Sequence, residues 1–398
     1  MVSIINMNIL FLLKSLDIGG LEVVTSVLAN KFVTKGHHVT IFSFTKATNS
    51  IENRLNKKIY ICSKEKYSCN RDNINTLKKV LIDRQIDIII NQWGLPYLPI
   101  MVAKKAAKGL NIKFISIHHN VPSANGKISD CNISIDQSKN KATKTLLKFK
   151  RLIIKYITSR SMRYVYNHSD IYQVLSPSFT ECFKTFTGIK HPKKLMVQTN
   201  PVTIDAKDFV FNPAKKEKEI LYVGRIDYNQ KRVYRVIDVW ALLEKKFPDW
   251  HLTIVGDGIE RKNIERKANE LGLKHVSFEG FQTPEPYYER AKILLLTSEY
   301  EGFPLVLAEC MSFGVVPAVY GSYSAVYDII DNGVNGIIFP YHKDGFSAEL
   351  ATKEMELIMT DEAIYKDMAE KAIETSKKYS ADEIYKSWEK TFEILRSE

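Results

Sequence analysis

The stretch KILLLTSEYEGFPLVLAE, residues 292–309, changes character halfway along. Ile293 to Leu296, followed by Thr297 and Ser298, is a continuous apolar run of the length of a buried strand, and the run from Leu305 is apolar over helical length. Gly302 permits close backbone approach, and Pro304 suits the first turn of a helix, where its missing N–H has no partner to lose. A helix starting at Pro304 or Leu305 aims its free N–H groups and positive dipole end at the sheet edge, which makes an anion site. Carboxylates stand at both ends of the segment: Glu301 closes the strand side, and Glu309 falls in the second helical turn. Either they serve a ligand there, or Glu301 caps the helix and Glu309 is solvated.

The same alternation extends in both directions. Strand candidates lie at 8–13, 37–44, 57–62, 86–93, 113–119, 171–176 and 194–200, then at 219–225, 251–258, 276–280, 292–298, 315–320 and 336–339. Helical patterns such as RVYRVIDVWALLEKKF (232–247) lie between them, the signature of β-α units around parallel sheets. The rhythm breaks between Asn200 and Glu219, where Pro201, Pro213 and the run KKEKE mark a boundary. The expected fold is α/β, with one Rossmann-like domain over 1–203, a second over 204–380, and a final helix over 381–398 free to pack elsewhere.

With 398 residues, 45% hydrophobic and 26% charged, the chain can bury two ordinary cores. Its longest apolar runs, such as Ile9 to Leu13, fall far short of the roughly 20 residues a bilayer-spanning helix needs. The N-terminus lacks the cationic region and small-residue cleavage site of a secretory signal, so a cytoplasmic location is expected. Cys62, Cys69, Cys131, Cys182 and Cys310 have neither C-x-x-C spacing nor an even count, which fits a reducing compartment. Asp-x-Asp, H-E-x-x-H, a Walker lysine loop and G-x-S-x-G do not occur, which argues against metal-dependent nucleotide-sugar chemistry, zinc hydrolysis and P-loop hydrolysis. No metal or other cofactor is expected.

In parallel sheets ligands bind beyond the carboxyl ends of the strands, and three further loops lie there. GRIDYNQKR, after the strand at 219–225, carries Arg225 and Lys231, which suit a diphosphate: one as a bidentate fork, the other as a point charge. DIGGLE (17–22) offers Gly19 and Gly20 for close backbone approach, or forms a simple tight turn. IHHN (117–120) places His118 and His119 at a strand end, able to bond a sugar hydroxyl or phosphate or to serve structure alone.

Together these residues resemble the retaining GT-B glycosyltransferases of family 4. The likeness rests on E-x7-E after a strand, the upstream VGR…K pair, VGDG (255–258) and FEG (278–280). It runs from GGLE through SIHHN, SPSFTECF (176–183) and TNPV (199–202) to the closing YSADEIYKSWEKTFEIL. The resemblance implies a GT-B fold of two Rossmann-like domains facing across a cleft, the C-terminal one binding the nucleotide-sugar donor and the N-terminal one the acceptor, with the final helix crossing back to the first domain. It implies that Arg225 and Lys231 hold the diphosphate, that Glu309 accepts the ribose hydroxyls, and that Glu301 and His119, preferred over His118, stand near the transferring sugar. Gly302, Phe303, Pro304 and Leu305 line the sugar and phosphate site, Gly19 and Gly20 lie beneath the diphosphate, and Gly256 and Gly258 belong to the donor side. Transfer then proceeds by same-face attack as the diphosphate leaves, with no metal. In one place the chain departs from the pattern: GSYSAVYDII (321–330) has Ser324 and Ala325 where the resemblance leads one to expect an acid.

Charge is uneven along the chain. Residues 1–200 hold 31 Lys+Arg against 11 Asp+Glu, and residues 201–398 hold 26 against 34. Residues 139–163 contain nine Lys+Arg and no acid. Lys141, Lys144, Lys148, Arg151 and Lys155 recur at helical spacing, with Leu146, Phe149, Ile153 and Ile157 roughly opposite. This helix reads as an element lying on an anionic membrane, suiting a lipid-linked saccharide acceptor, or as one docked by its apolar face on the sheet with a solvated basic face, and the two are compatible. No nucleic-acid module accompanies the basic stripe, so no nucleic-acid partner is expected. The competing functions are a nucleotide-sugar epimerase of the same architecture and a non-catalytic sugar-nucleotide or nucleic-acid binding module.

Overall fold

The structure, a computed structural model, describes residues 6–204, 206–342 and 345–397. The chain forms two compact units, Met1–Thr203 joined by Ser380–Glu398, and Ile204–Tyr379.

The first unit is built on seven strands: β1 (Asn8–Leu13), β2 (His38–Ser43), β3 (Tyr60–Ser63), β4 (Ile88–Asn91), β5 (Lys113–His118), β6 (Ile171–Val174) and β7 (Leu195–Val197). They lie in the order β3-β2-β1-β4-β5-β6-β7, every pairing parallel. The second unit holds β8 (Glu219–Val223), β9 (His251–Val255), β10 (Val276–Gly280), β11 (Ile293–Leu296), β12 (Val316–Tyr320) and β13 (Ile337–Phe339). Their order is β10-β9-β8-β11-β12-β13, again all parallel. Helices cover both faces of such sheets, so central strands are apolar throughout rather than alternating. Ile9 to Leu12 in β1 and Ile293 to Leu296 in β11 are fully buried.

Each sheet grows outward from its first strand and then returns to that strand's other side. The order therefore reverses between β1 and β4 and between β8 and β11, and neighbouring loops part there to leave a crevice.

The helix Ala381–Ser397 packs in the first unit against the helix Gly20–Thr34. The Phe32 ring meets Tyr385 at 5.8 Å, Trp388 at 5.5 Å and Phe392 at 5.5 Å. Beside it, buried His37 accepts the Met7 N–H at Nδ1 (3.2 Å) and reaches the Tyr385 hydroxyl from Nε2 (2.9 Å). Lys31 pairs with Asp382 at the rim.

The basic helix spans Lys141–Asn167, with Asn140 capping its start. Of the two readings of this helix, docking of the apolar side on the sheet does not hold over 146–157: Leu146 is 67% exposed, Phe149 61% and Ile157 60%. Thr158, Met162, Val165 and Tyr166 are its buried residues. Length explains this. A helix of 27 residues runs about 40 Å, whereas a strand of three to six residues spans roughly 10–20 Å, so only part of the helix can lie over the core, and its buried residues all fall toward its C-terminal end. Among the described residues no helix is long and apolar enough to cross a membrane.

Candidate active site

In the second unit the β8 loop and the segment after β11 flank the reversal point. They meet through Lys231 and Glu301, whose side chains are 15% and 8% exposed and whose Nζ and Oε1 stand 2.6 Å apart. Gln230 Nε2 donates to the other oxygen of Glu301 at 3.1 Å and to the Tyr300 carbonyl at 3.2 Å. Both oxygens of this carboxylate are therefore held. Arg225 lies mostly in solvent, donating from Nε to Asp227 Oδ2 at 2.8 Å and from Nη2 to Gln230 Oε1 at 3.2 Å.

The helix after β11 runs Leu305–Ser312 and begins at Pro304, with no side chain capping it. Glu301 thus does not serve as its cap. Nor is Glu309 solvated: it is 5% exposed, and the Tyr288 hydroxyl donates to its Oε2 at 3.3 Å. Burial and the neighbouring Glu309 charge push the Tyr288 hydroxyl well above its ordinary range, so it stays a donor. Gly302 is buried, Phe303 packs on Tyr379 at 5.1 Å, and Leu305 is half-buried.

Gly256 and Gly258 have a packing reason of their own. A β-carbon at 256 would stand 1.9 Å from the Gly224 carbonyl oxygen, and one at 258 would stand 2.2 Å from that of Ile226. Gly224 N–H donates to Val255 O and Ile226 N–H to Asp257 O, so the two glycines seat the backbone that leads into the cation loop. Directly before Ser324 and Ala325, the positions that depart from the family pattern, Tyr323 is 5% exposed and lies near Glu301. Burial first and the Glu301 charge second keep its hydroxyl protonated.

In the first unit Gly19 ends the β1 loop and Gly20 opens the following helix. The Glu22 carboxylate folds back over them, with Oε2 2.6 Å from where a Gly19 β-carbon would sit, and burial raises its pKa. His118 closes β5 and is 3% exposed; burial lowers its pKa to about 4. His119 is half-buried, shares a hydrogen bond of 2.6 Å with Gln92 Oε1, and is lowered to about 3 by burial and by His118. Both rings are neutral at neutral pH, and of the two His119 keeps the greater exposure.

Asp227, Gln230, Tyr288 and Gln92 were not foreseen. Asp227 had a local signal, since an Asp three and four residues before Gln230 and Lys231 can cap their N–H groups. Tyr288 and Gln92 had none, because the elements carrying their partners come together only in the folded sheet.

Two family profiles match the chain in succession: one described as Glycosyltransferase Family 4 over residues 18–206 and one described as Glycosyl transferases group 1 over residues 203–377. An uncharacterized glycosyltransferase of Haemophilus influenzae is 27% identical, over 95% of this chain and 97% of its own. The GalNAc-alpha-(1->4)-GalNAc-alpha-(1->3)-diNAcBac-PP-undecaprenol alpha-1,4-N-acetyl-D-galactosaminyltransferase of Campylobacter jejuni is 26% identical, over 96% and 97%. The lipopolysaccharide 1,6-galactosyltransferase of Salmonella typhimurium is 33% identical over 36% of this chain and 42% of its own. Among solved structures, Anabaena HepE in complex with UDP and glucose superposes with a TM-score of 0.73 at 16% identity, covering 98% of this chain and all of that one. The two parallel sheets, the loops at their reversal points and the two matched profiles make this chain a GT-B glycosyltransferase of family 4, group 1.

Proposed function

We propose that the protein transfers a sugar, with retention of anomeric configuration and without a metal ion, from a nucleoside-diphosphate sugar to a saccharide carried on a lipid, in assembly of a cell-surface polysaccharide or glycolipid. The observation that carries this reading is the buried Lys231–Glu301 pair at the β8/β11 reversal point, with Arg225 beside it and the uncapped helix start at Pro304 following. As the sugar–phosphate bond breaks, negative charge grows on the diphosphate. Arg225, Lys231 and the helix N-terminus offer it two cations and free N–H groups already in place. Glu309 accepts the ribose hydroxyls and Glu301 orients the sugar. With attack on the face the diphosphate leaves, a phosphate oxygen takes the acceptor proton, so no protein base is needed.

The acceptor reading has separate support. The relatives from Campylobacter and Salmonella are named for lipid-linked and lipopolysaccharide acceptors. The exposed stripe Leu146, Phe149, Leu152, Ile153, Tyr156 and Ile157 on a cationic helix suits an anionic leaflet, where each Lys or Arg near the surface contributes about 1 kcal/mol.

Arg225→Ala and Lys231→Ala should each lower kcat on the order of 100-fold, the first with little change in Tm and the second with a lower Tm, because it leaves the buried Glu301 carboxylate without its cation; EDTA should have no effect, and NMR of the product should show the anomeric configuration of the donor. Turnover unchanged by either substitution would overturn the site assignment, and an inverted product would overturn the mechanism.

A further inference from the structure

The loop that carries both proposed diphosphate cations is organised by one residue, Asp227, whose backbone carbonyl and two carboxylate oxygens divide the work. Its backbone carbonyl accepts the Arg232 N–H at 3.1 Å. Oδ1 accepts the N–H groups of Gln230 at 2.7 Å and Lys231 at 3.0 Å. Oδ2 accepts Arg225 Nε at 2.8 Å. Arg232, which closes this turn, has φ of 53°, a left-handed conformation that costs a non-glycine residue energy and persists only where its surroundings enforce it. Gln230 extends the arrangement, joining Arg225 on one side to Glu301 on the other. Burial opposes the Asp227 charge, but the two backbone N–H groups and the Arg225 guanidinium outweigh it and leave the carboxyl below its ordinary range.

We propose that Asp227 is a positioning residue for donor binding: its carboxylate shapes the 227–232 turn through one oxygen and aims Arg225 through the other, so that both cations meet the diphosphate of a nucleotide sugar already placed. This rests on the reading of Arg225 and Lys231 as diphosphate ligands. A carboxylate so near an anion site also repels the ligand, and positioning outweighs that repulsion.

Asparagine separates the two tasks. Its side-chain oxygen can still cap Gln230 and Lys231, while its amide nitrogen faces Arg225 and cannot accept the guanidinium N–H. The full chain carrying Asp227→Asn is titrated calorimetrically with UDP and GDP and with the matching monophosphates. The expected result is diphosphate affinity about tenfold weaker, monophosphate affinity changed less than twofold, and wild-type Tm. Asp227→Ser, whose hydroxyl can cap the turn but does not reach Arg225, should show the same diphosphate loss, which guards against an asparagine variant that folds poorly. Wild-type or tighter diphosphate binding in both variants would overturn the proposal, marking Asp227 as a bystander or competitor, and so would equal weakening toward mono- and diphosphates. Arg225→Ala separates the two levels of the argument. If it leaves diphosphate affinity unchanged, the donor-site reading fails; if it weakens binding while Asp227→Asn does not, only the role of Asp227 fails.

Discussion

A β-carbon at position 256 has nowhere to go, because the Gly224 carbonyl oxygen stands 1.9 Å away and the backbone φ of 144° excludes other residues in any case. Gly256→Ala should therefore cost about 2 kcal/mol or more and displace the loop ahead of Arg225, seen as a lower Tm together with weaker nucleoside-diphosphate binding. A variant with normal Tm and normal binding would show that the close approach is not needed. Tyr288 presents the converse case, a single hydroxyl that serves a carboxylate. Its hydrogen bond to buried Glu309 is of the charge-assisted kind, worth about 1.5–3 kcal/mol. Tyr288→Phe should raise the nucleoside-diphosphate Kd about five- to tenfold; an unchanged Kd would mean that Glu309 is held without it. At this scale the sequence was only half readable. Glu301, Arg225 and Lys231 stand out as charged residues in the loops after strands, and Glu309 as a carboxylate in an otherwise apolar helix. That Lys231 rests on Glu301, 70 positions away, and that the glycines of VGDG are demanded by Gly224 and Ile226, depend on which strands become neighbours.

Among the elements, the C-terminal helix is secured by an unusual partner. His37 is neutral in the fold, with its pKa lowered to about 4 chiefly by burial and further by Arg396 and His38. In the unfolded chain it titrates near 6.5. Between those values the unfolded state binds a proton that the folded state refuses, so stability is complete above pH 6.5 and falls as pH drops toward 4, by up to about 3 kcal/mol. His118 and His119, also lowered, act in the same sense. Thermal melts from pH 8 to 4.5 should show Tm declining through this window, and His37→Phe should flatten part of the decline while lowering Tm at pH 8. A pH dependence identical to the native one would exclude His37 as a source. Elements were the most legible level: each run read as a strand overlaps one, most of them trimmed at the ends, and the central strands, buried on both faces, write themselves as unbroken apolar segments. The Lys141–Asn167 helix was legible in extent but not in surroundings. Periodicity identifies an apolar face but cannot tell what covers it, and here that depended on a helix outrunning the short strands beside it.

For the molecule as a whole, the cationic excess and a continuous exposed apolar stripe fall in the same half. Residues 1–200 carry the cationic excess, and the exposed stripe around Phe149 and Ile153 lies within them. The full chain should sediment with vesicles containing anionic lipid and not with neutral ones, and added salt should release it as surface charges are screened. Phe149→Glu with Ile153→Glu should abolish sedimentation while sparing turnover of a water-soluble acceptor. Retained vesicle binding in the double variant would remove the helix from that role. The division into units has a consequence in time. Residues 204–379 form one unit, whereas the other is assembled from 1–203 and 380–398, so the part made first on the ribosome is finished last. At about 5–20 residues per second, Phe32 and His37 wait roughly 17 to 70 seconds for Tyr385, Trp388 and Phe392 to be made. During that interval the later-encoded domain can complete its own fold, and the nascent first domain presents a bare aromatic face, the surface a chaperone is best placed to shield.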